Sequence, residues 1–297
     1  MKKLLKKLTA TALLFAMIVI CLPTTLQAAT AKKSITLYKG EGIYYTDYGT
    51  VKSVKSSNSK VVKAAKDKQY DYHANMVAKK AGKATVSVST KYGSAKIAVT
   101  VKNAKFTPKL VRTHGGYILV SVKNDNKDIF DKAEIKYTIK DSNGEVIAEN
   151  TDTVSNLLAG KVAYTNIYVG SDNIEKVDLS KSTVKVTKYE RTWLGYTYKD
   201  VSSKVKCTAK ITEEAENSIS FDIVEKNTVN QMVDGCVYAM IYDANDKLIG
   251  VEKYSLYLDK KETKTVNHGY ISKYDYPDYD HMKLVVQAYY TTRDKNF

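Results

Sequence analysis

Hydrophobic and polar residues alternate with period two along most of the chain after Ser34. The segments "ATVSVS" (84–89) and "KIAVTV" (96–101) each place three apolar side chains on one face. Glycine-containing turns bound such segments, and no segment carries a sustained apolar stripe at helical spacing. The pattern is typical of antiparallel strands with one buried and one solvated face. We therefore predict an all-β chain.

The part of the chain after residue 103 contains a repeat. The segments "YTIKDSNGEVIAEN" around Asp141 and "AMIYDANDKLIGVE" around Asp243 share a strand, an Asp-x-Asn turn and a second strand. Further matching segments flank both of them, and the offset in this alignment stays at 101 to 102 residues. A constant offset of this size predicts two copies of one sandwich-sized domain. Asp141 and Asp243 are then expected at equivalent turns.

The N-terminal residues have the composition of an export signal. The basic start "MKKLLKK" precedes a short apolar run, and small residues follow up to Ala28 and Ala29. This order predicts a secretory signal peptide, and the run is shorter than the ~20 residues that span a bilayer. We expect a secreted protein that is extracellular or associated with the cell surface.

Residues 34–102 resemble a known family. The segments "ITLYKGEG", "VKSVKSSNSKVVKA" and "MVAKKAGKATVSVSTKYGSAKIAVTV" are similar to the bacterial Ig-like group 2 domain, which implies a small β-sandwich. Two features depart from the family pattern: Val54 stands where many members have tryptophan, and "DYHANM" (71–76) replaces a glycine-containing approach to the strand at Val77. The two later repeats resemble FxLYD-type extracellular β-sandwich modules, most closely at "IYD" (241–243).

Together these patterns predict three consecutive Ig-like antiparallel β-sandwich domains after a signal peptide. The expected ranges are 1–28 for the signal peptide, 29–103 for the bacterial Ig-like domain, 104–200 for the first repeat and 201–297 for the second.

The positive charge is concentrated in the first predicted domain. Residues 29–103 contain 15 lysines and no arginine against four acidic residues, which leaves +11. Residues 104–297 contain 28 basic and 28 acidic residues and are neutral overall. Such a charge either keeps a small sandwich soluble and its edges unpaired, or attracts an anionic polymer outside the cell. Nucleic acid is not an expected partner, because the protein is expected to be exported and residues 29–103 lack arginine, the residue suited to bidentate contacts.

Motifs of catalysis and metal binding are not recognised in the sequence. The four histidines, His73, His114, His268 and His281, are scattered, and none lies at metal-ligand spacing with another histidine or cysteine. Neither a nucleophile elbow nor a phosphate-binding glycine loop occurs. We predict a protein that is not an enzyme and uses neither a metal nor another cofactor.

One segment has the composition of a binding loop. "GYISKYDYPDYDH" (269–281) interleaves aspartates with four tyrosines, and the matching segment of the first repeat has no tyrosine. Exposed tyrosine rings stack on sugars or pack on partner surfaces at low entropic cost. The alternative is an inter-strand connection whose tyrosines cover the edge of the sandwich. The candidate ligand-binding residues are Tyr270, Tyr274, Tyr276 and Tyr279.

Two cysteines, Cys207 and Cys236, remain after the predicted cleavage, 29 residues apart. A disulfide would stabilise the last domain by roughly 3–4 kcal/mol. The alternative is two buried thiols, since Cys236 is out of phase with the apolar residues that follow it.

These features favour an exported, non-catalytic surface protein that binds cell-envelope or host polymers. The expected partner is an anionic cell-wall polymer or glycan, with another surface protein as the alternative, and peripheral contact with a membrane is not expected. The competing hypothesis is a structural spacer or envelope-assembly accessory without a ligand of its own.

Overall fold

The computed structural model describes residues 32–46, 49–191 and 196–293, so the predicted signal peptide lies outside the described residues. The protein is all-β, as the period-two pattern predicts. The chain divides into two compact units, Met1–Asn103 (unit 1) and Ala104–Phe297 (unit 2). No helix in the described ranges is long and apolar enough to span a bilayer.

The described residues of unit 1 form two sheets, with the strand orders β1-β7-β6-β3 and β2-β5-β4. Its described strands are β1 Lys32–Tyr38, β2 Gly42–Thr46, β3 Val51–Ser56, β4 Val62–Lys66, β5 His73–Ala78, β6 Gly82–Thr90 and β7 Gly93–Lys102. The inward side chains of both sheets form an apolar core, which includes Leu37, Met76, Val86 and Ile97. Alternate residues of β6 and β7 are buried and exposed, as the sequence predicts.

One pairing in unit 1 differs from the prediction. Strand β1 runs parallel to β7, with Ile35 opposite Val99, whereas we expected antiparallel strands throughout. A hairpin forces its two strands to run antiparallel, but β1 and β7 are distant in sequence and no tight turn joins them. Their direction is therefore set by tertiary packing.

Unit 2 contains four sheets, with the strand orders β12-β9-β8, β11-β10-β13, β15-β16-β19 and β14-β20-β17-β18. Its first strands are β8 Phe106–His114, β9 Tyr117–Asn124, β10 Phe130–Lys140, β11 Val146–Leu157, β12 Val162–Tyr168 and β13 Thr183–Glu190, with a short helix α1 at Ser171–Ile174. The later strands are β14 Tyr196–Asp200, β15 Val205–Glu214, β16 Ser218–Asn227, β17 Val233–Tyr242, β18 Leu248–Leu258, β19 Thr263–Ser272 and β20 His281–Arg293, with a 3₁₀ turn at Ser202–Lys204.

The strand orders of unit 2 repeat. Sheet β12-β9-β8 corresponds to β19-β16-β15, and sheet β11-β10-β13 corresponds to β18-β17-β20. The later copy has an additional edge strand, β14, which pairs with β20. The sheet of the second repeat thus begins at Tyr196, before the predicted boundary at residue 201.

The predicted equivalence of Asp141 and Asp243 is visible in their hydrogen bonds. Oδ1 of Asp141 accepts the backbone N–H groups of the second and fourth residues that follow, at 2.9 and 2.8 Å. Oδ1 of Asp243 accepts the same two bonds at 3.0 and 2.9 Å. An aspartate that holds a turn in this way explains why the residue recurs in both copies.

A second equivalent pair corrects the sequence alignment. Asn124 and Asn227 are both buried, and Nδ2 of each donates hydrogen bonds to two backbone carbonyl oxygens. The two bonds are 2.9 and 2.8 Å long for Asn124, and both are 2.8 Å long for Asn227. Their numbers differ by 103, whereas the sequence alignment pairs Asn124 with Glu225. The offset is not constant because β16 has ten residues and β9 has eight.

The two repeats of unit 2 pack against each other. One core cluster joins Leu119 of β9 to Cys236, Tyr238 and Met240 of β17. The opposite face of β17 contributes Ala239 and other residues to the core of its own sandwich, so the strand is covered on both sides. A strand covered on both faces has an uninterrupted apolar sequence, as "CVYAMI" (236–241) has.

Candidate functional site

The tyrosine-rich segment 269–281 is part strand and part connection. Strand β19 extends to Ser272 and β20 begins at His281, so Tyr270 lies in a strand. The side chains of Tyr270 and Tyr274 are 55% and 73% exposed. These two rings are accessible to a ligand.

Tyr276 is not a ligand-binding residue of the expected kind, because its side chain is only 2% exposed. Its ring packs on Gly250, where an added Cβ would lie 1.9 Å from a ring carbon. Its hydroxyl group donates a 2.7 Å hydrogen bond to Oε1 of Glu252. Burial raises the pKa values of both Tyr276 and Glu252. The residue is part of the core of the second repeat.

Tyr279 is also partly buried and packs against the same core cluster as Tyr276. Burial raises the pKa of its phenol, and the nearby charges of Glu214 and Asp280 act in the same direction. The binding hypothesis for this segment is therefore reduced to Tyr270 and Tyr274. The spacing of the four tyrosines, at intervals of four, two and three residues, does not indicate this division.

The aspartates of the same segment carry carboxylate oxygens, the type of ligand that calcium prefers. Oδ2 of Asp280 lies at hydrogen-bond distance, 2.9 Å, from Nδ1 of His281. In the ranges that the structure describes, no three His, Cys, Asp or Glu side chains are grouped so that they could hold a metal ion.

The cysteines Cys207 and Cys236 are free thiols, so the disulfide considered above is not formed. Cys207 packs against the interior of the second sandwich, whereas Cys236 lies in the cluster between the two repeats. The two side chains are on opposite sides of the sheet that contains β17, and this separation explains why they are not bridged. Burial raises the pKa of Cys207 to about 12 and also raises that of Cys236.

A small cavity of about 140 Å³ lies where the two repeats of unit 2 meet. His114 and Asp275 line it from different repeats, and the His114 ring stacks on Tyr276 at a centroid distance of 4.9 Å. Nε2 of His114 lies 3.2 Å from Oδ1 of Asn166. Burial lowers the pKa of His114, while the Asn166 hydrogen bond and the Asp275 charge oppose that effect. Protonation of this imidazole is therefore less favourable in the folded protein than in the unfolded chain.

Unit 1 has a cluster of exposed aromatic rings that the sequence analysis did not predict. The ring of His73 lies at centroid distances of 5.4 Å from Tyr44, 5.2 Å from Tyr70 and 4.4 Å from Tyr72. The three tyrosines are 61%, 43% and 42% exposed, respectively. We refer to these four residues as the aromatic cluster.

Next to this cluster is a groove of about 500 Å³ on the same sheet. Ala65, Asn75 and Val77 of β4 and β5 form part of its lining. The remaining lining residues are polar: Lys63, Lys66, Asp67, Lys68, Gln69 and Lys79. We refer to this feature as the lysine groove.

A signal for this surface was present in the sequence. The segment "DYHANM", which departs from the bacterial Ig-like pattern, supplies Tyr72 and His73 to the aromatic cluster and Asn75 to the lysine groove. Its period-two alternation places His73, Asn75 and Val77 on the outer face, while Ala74 and Met76 are buried. Tyr70 lies only three positions before His73, whereas the pairing of β5 with β2, which sets Tyr44 opposite Asn75, brings the Tyr44 ring to the same place.

Neither a protein-family model nor a curated protein matches this chain. Among solved structures, the chain is similar to red sea bream transglutaminase at 13% identity and a TM-score of 0.20, over 71% of this chain and 36% of that one. It is also similar to SGBP-B of the Bacteroides ovatus mixed-linkage glucan utilization locus, solved with a mixed-linkage heptasaccharide, at 8% identity and a TM-score of 0.20. That similarity covers 91% of this chain and 75% of the other.

The chain thus spans about a third of the length of the transglutaminase. At these TM-scores and identities, neither similarity says anything about what this protein binds or catalyses. The class that the fold and the surfaces define is an all-β protein of two compact units with exposed aromatic and lysine side chains on the first.

Proposed function

We propose that this is an exported, non-catalytic surface protein that binds anionic polymers of the cell envelope or of a host, and that unit 1 is the binding part. The observation that carries the proposal is the charge distribution. All the net charge expected for the mature chain, +11, lies in residues 29–103, and residues 104–297 are neutral overall.

The lysines of unit 1 suit this role. Those that line the groove are exposed: Lys63 and Lys66 lie in β4, and Lys68 and Lys79 lie just after β4 and β5, respectively. Lysine is a strongly hydrated point charge, which supports screened attraction to many anionic groups rather than bidentate recognition of one. The resemblance of residues 34–102 to bacterial Ig-like domains of group 2 and the predicted signal peptide are consistent with a position outside the cell.

The test is retention of the purified protein on isolated bacterial cell walls at increasing salt concentration. We expect retention at low ionic strength and release well below 1 M salt. At 1 M salt the screening length is only about 3 Å. Walls stripped of their anionic polymers are expected to retain less protein. Retention that does not depend on salt, or no retention on any wall, would show that charge does not mediate binding, and a spacer role would then be favoured.

A further inference from the structure

We infer that the outer face of sheet β2-β5-β4 in unit 1 is a binding site for an acidic polysaccharide. Sugar rings stack on the tyrosines of the aromatic cluster, and negative groups of the same chain pair with the lysines of the adjacent groove. This inference rests on the function proposed above and assigns it a site and a ligand class.

The two features form one continuous surface. In an antiparallel pair, residues directly opposite each other project to the same face. Asn75, in the lysine groove, lies opposite Tyr44 of β2 on one side and opposite Ala65 of β4 on the other. The row Tyr44–Asn75–Ala65 therefore runs from the aromatic cluster to the floor of the groove. A polymer that lies across the three strands contacts rings first and ammonium groups next.

The aromatic cluster presents three tyrosine rings to solvent in one place. Tyrosine rings lose little conformational entropy on binding, and each presents an apolar face with a polar hydroxyl at its edge. The C–H groups on one face of a pyranose ring match the apolar face, and its hydroxyl groups match the polar edge. Three such rings around His73 form a patch rather than isolated exposed residues, and patches of this kind mark interaction sites.

The lysine groove is lined by four lysines and one aspartate, so a net positive charge remains there. Within the described ranges, Lys63, Lys66, Lys68 and Lys79 take part in no salt bridge. By contrast, lysines of unit 2 pair with acidic neighbours over distances such as 2.8 Å for Lys132–Glu190. The groove volume of about 500 Å³ is in the usual range for ligand sites.

The single carboxylate in the groove is committed to local structure. Oδ1 of Asp67 accepts the backbone N–H groups of Gln69 and Tyr70 at 2.7 and 3.0 Å, and Oδ2 accepts a 2.6 Å bond from Nδ2 of Asn75. These bonds, the one from Tyr70 above all, keep the pKa of Asp67 below its usual range. Asp67 therefore positions both the turn that carries Tyr70 and the Asn75 side chain, while the four lysines set the sign of the charge.

The ligand chemistry follows from combining the two parts. A neutral glycan would use the rings but leave the lysines unpaired, and an anionic polymer without sugar rings would leave the tyrosines exposed. A polysaccharide that bears carboxylate, sulfate or phosphate groups uses both. Such polymers occur in bacterial envelopes and on host cells, and the site recognises the chemistry that they share.

The first experiment measures affinity of the intact protein for three polymers: dextran sulfate, uncharged dextran and polyglutamate. We expect dextran sulfate to bind at least about tenfold more tightly than either of the others, because only it offers both sugar rings and charge. Equal affinity for dextran sulfate and polyglutamate would overturn the inference. Heparin and a purified acidic polysaccharide from a bacterial envelope then distinguish a host source from an envelope source.

Two sets of substitutions locate the site. The lysine variant K63Q/K66Q/K68Q/K79Q is compared with K52Q/K55Q/K83Q/K96Q, which removes the same charge from exposed positions on the other sheet of unit 1. We expect about a tenfold loss of dextran sulfate affinity for the first and less than about threefold for the second. Similar losses for both would show that only total charge matters.

The tyrosine variant Y44S/Y70S/Y72S tests stacking. It should lose about tenfold in affinity for dextran sulfate and retain the weaker affinity for polyglutamate. Unchanged dextran sulfate affinity, with the melting temperature also unchanged, would overturn the assignment. If the unsubstituted protein binds none of the anionic polymers, the proposed function itself fails. If it binds them but no substitution on this face matters, only the site assignment fails.

Discussion

The hydroxyl group of Tyr276, in the connection between β19 and β20, donates a 2.7 Å hydrogen bond to Oε1 of Glu252 in strand β18. The tyrosine ring occupies the space that a side chain at Gly250 would need. This pair shows that a tyrosine in an aspartate-rich surface segment is a core residue. Its neighbour Tyr274, two positions earlier, is largely exposed.

We predict that Tyr276 and Tyr274 differ sharply in their effect on stability. Tyr276→Ala should lower the free energy of unfolding by roughly 3–5 kcal/mol, since it removes a buried aromatic ring. Tyr276→Phe should cost about 1–3 kcal/mol because Glu252 loses its donor. Tyr274→Ala should change the value by less than about 0.5 kcal/mol. Denaturant unfolding measures all three, and equal effects of the two alanine variants would contradict the packing described.

The lowered pKa of His114 predicts a pH-dependent loss of stability. Below the ordinary histidine pKa of 6.5, the unfolded chain binds a proton that the folded chain does not, so the free energy of unfolding falls as pH decreases. The loss levels off once the pH is below the folded-state pKa. Well above the ordinary histidine pKa, this contribution is absent.

The measurement for His114 is urea unfolding from mildly alkaline to mildly acidic pH, for the protein and for His114→Gln. The variant lacks the imidazole, so its free energy of unfolding should fall less steeply as the pH decreases over this range. A constant difference in stability between the two proteins at alkaline pH does not change this expectation. The partly buried Glu252, whose raised pKa acts in the opposite direction, is present in both proteins. Parallel curves would indicate that His114 titrates normally in the folded state.

The free thiols predict that reducing agents do not affect stability. We expect the same melting temperature with and without dithiothreitol, and no peptide linking Cys207 to Cys236 in a non-reducing digest. Both thiols should react with a thiol reagent much faster after unfolding, because the thiolate is the reactive form and burial raises the pKa of each. A linked peptide in the digest would disprove the separation of the two side chains.

Because Asn124 and Asn227 are equivalent, we predict that replacing either one lowers the free energy of unfolding by a similar amount. Replacement of either by alanine removes the two hydrogen bonds that Nδ2 donates and the one that Oδ1 accepts from a backbone N–H, and we expect a loss of roughly 2–5 kcal/mol in each case. The matched controls are Asn143→Ala and Asn245→Ala at exposed turn positions, which should cost less than about 0.5 kcal/mol. A clear loss for one buried asparagine and none for the other would show that the two copies are not held together in the same way.

Several features of the fold can be predicted from the sequence because they depend on neighbours along the chain. The alternation in β6 and β7 follows from the two-residue pleat, and the turns at Asp141 and Asp243 are held by bonds to residues only two and four positions away. Local physics of this kind is the same wherever the segment lies in the molecule. The all-β class and the repeat therefore follow from the order of the residues alone.

Other features were decided by contacts between distant segments. The period-two pattern predicts that the Cys236 side chain points away from the inner face of its own sandwich. Only the packing of the first repeat against β17 shows that this repeat covers the side chain. The same is true of Tyr276, whose burial depends on Gly250 in another strand. The aromatic cluster combines Tyr44 with residues some thirty positions later through the β2–β5 pairing. The sequence by itself determined the strands, their faces and the charge of unit 1. Tertiary structure alone decided which exposed faces meet, because strand pairing and sheet packing join residues whose separation along the chain carries no information about their distance.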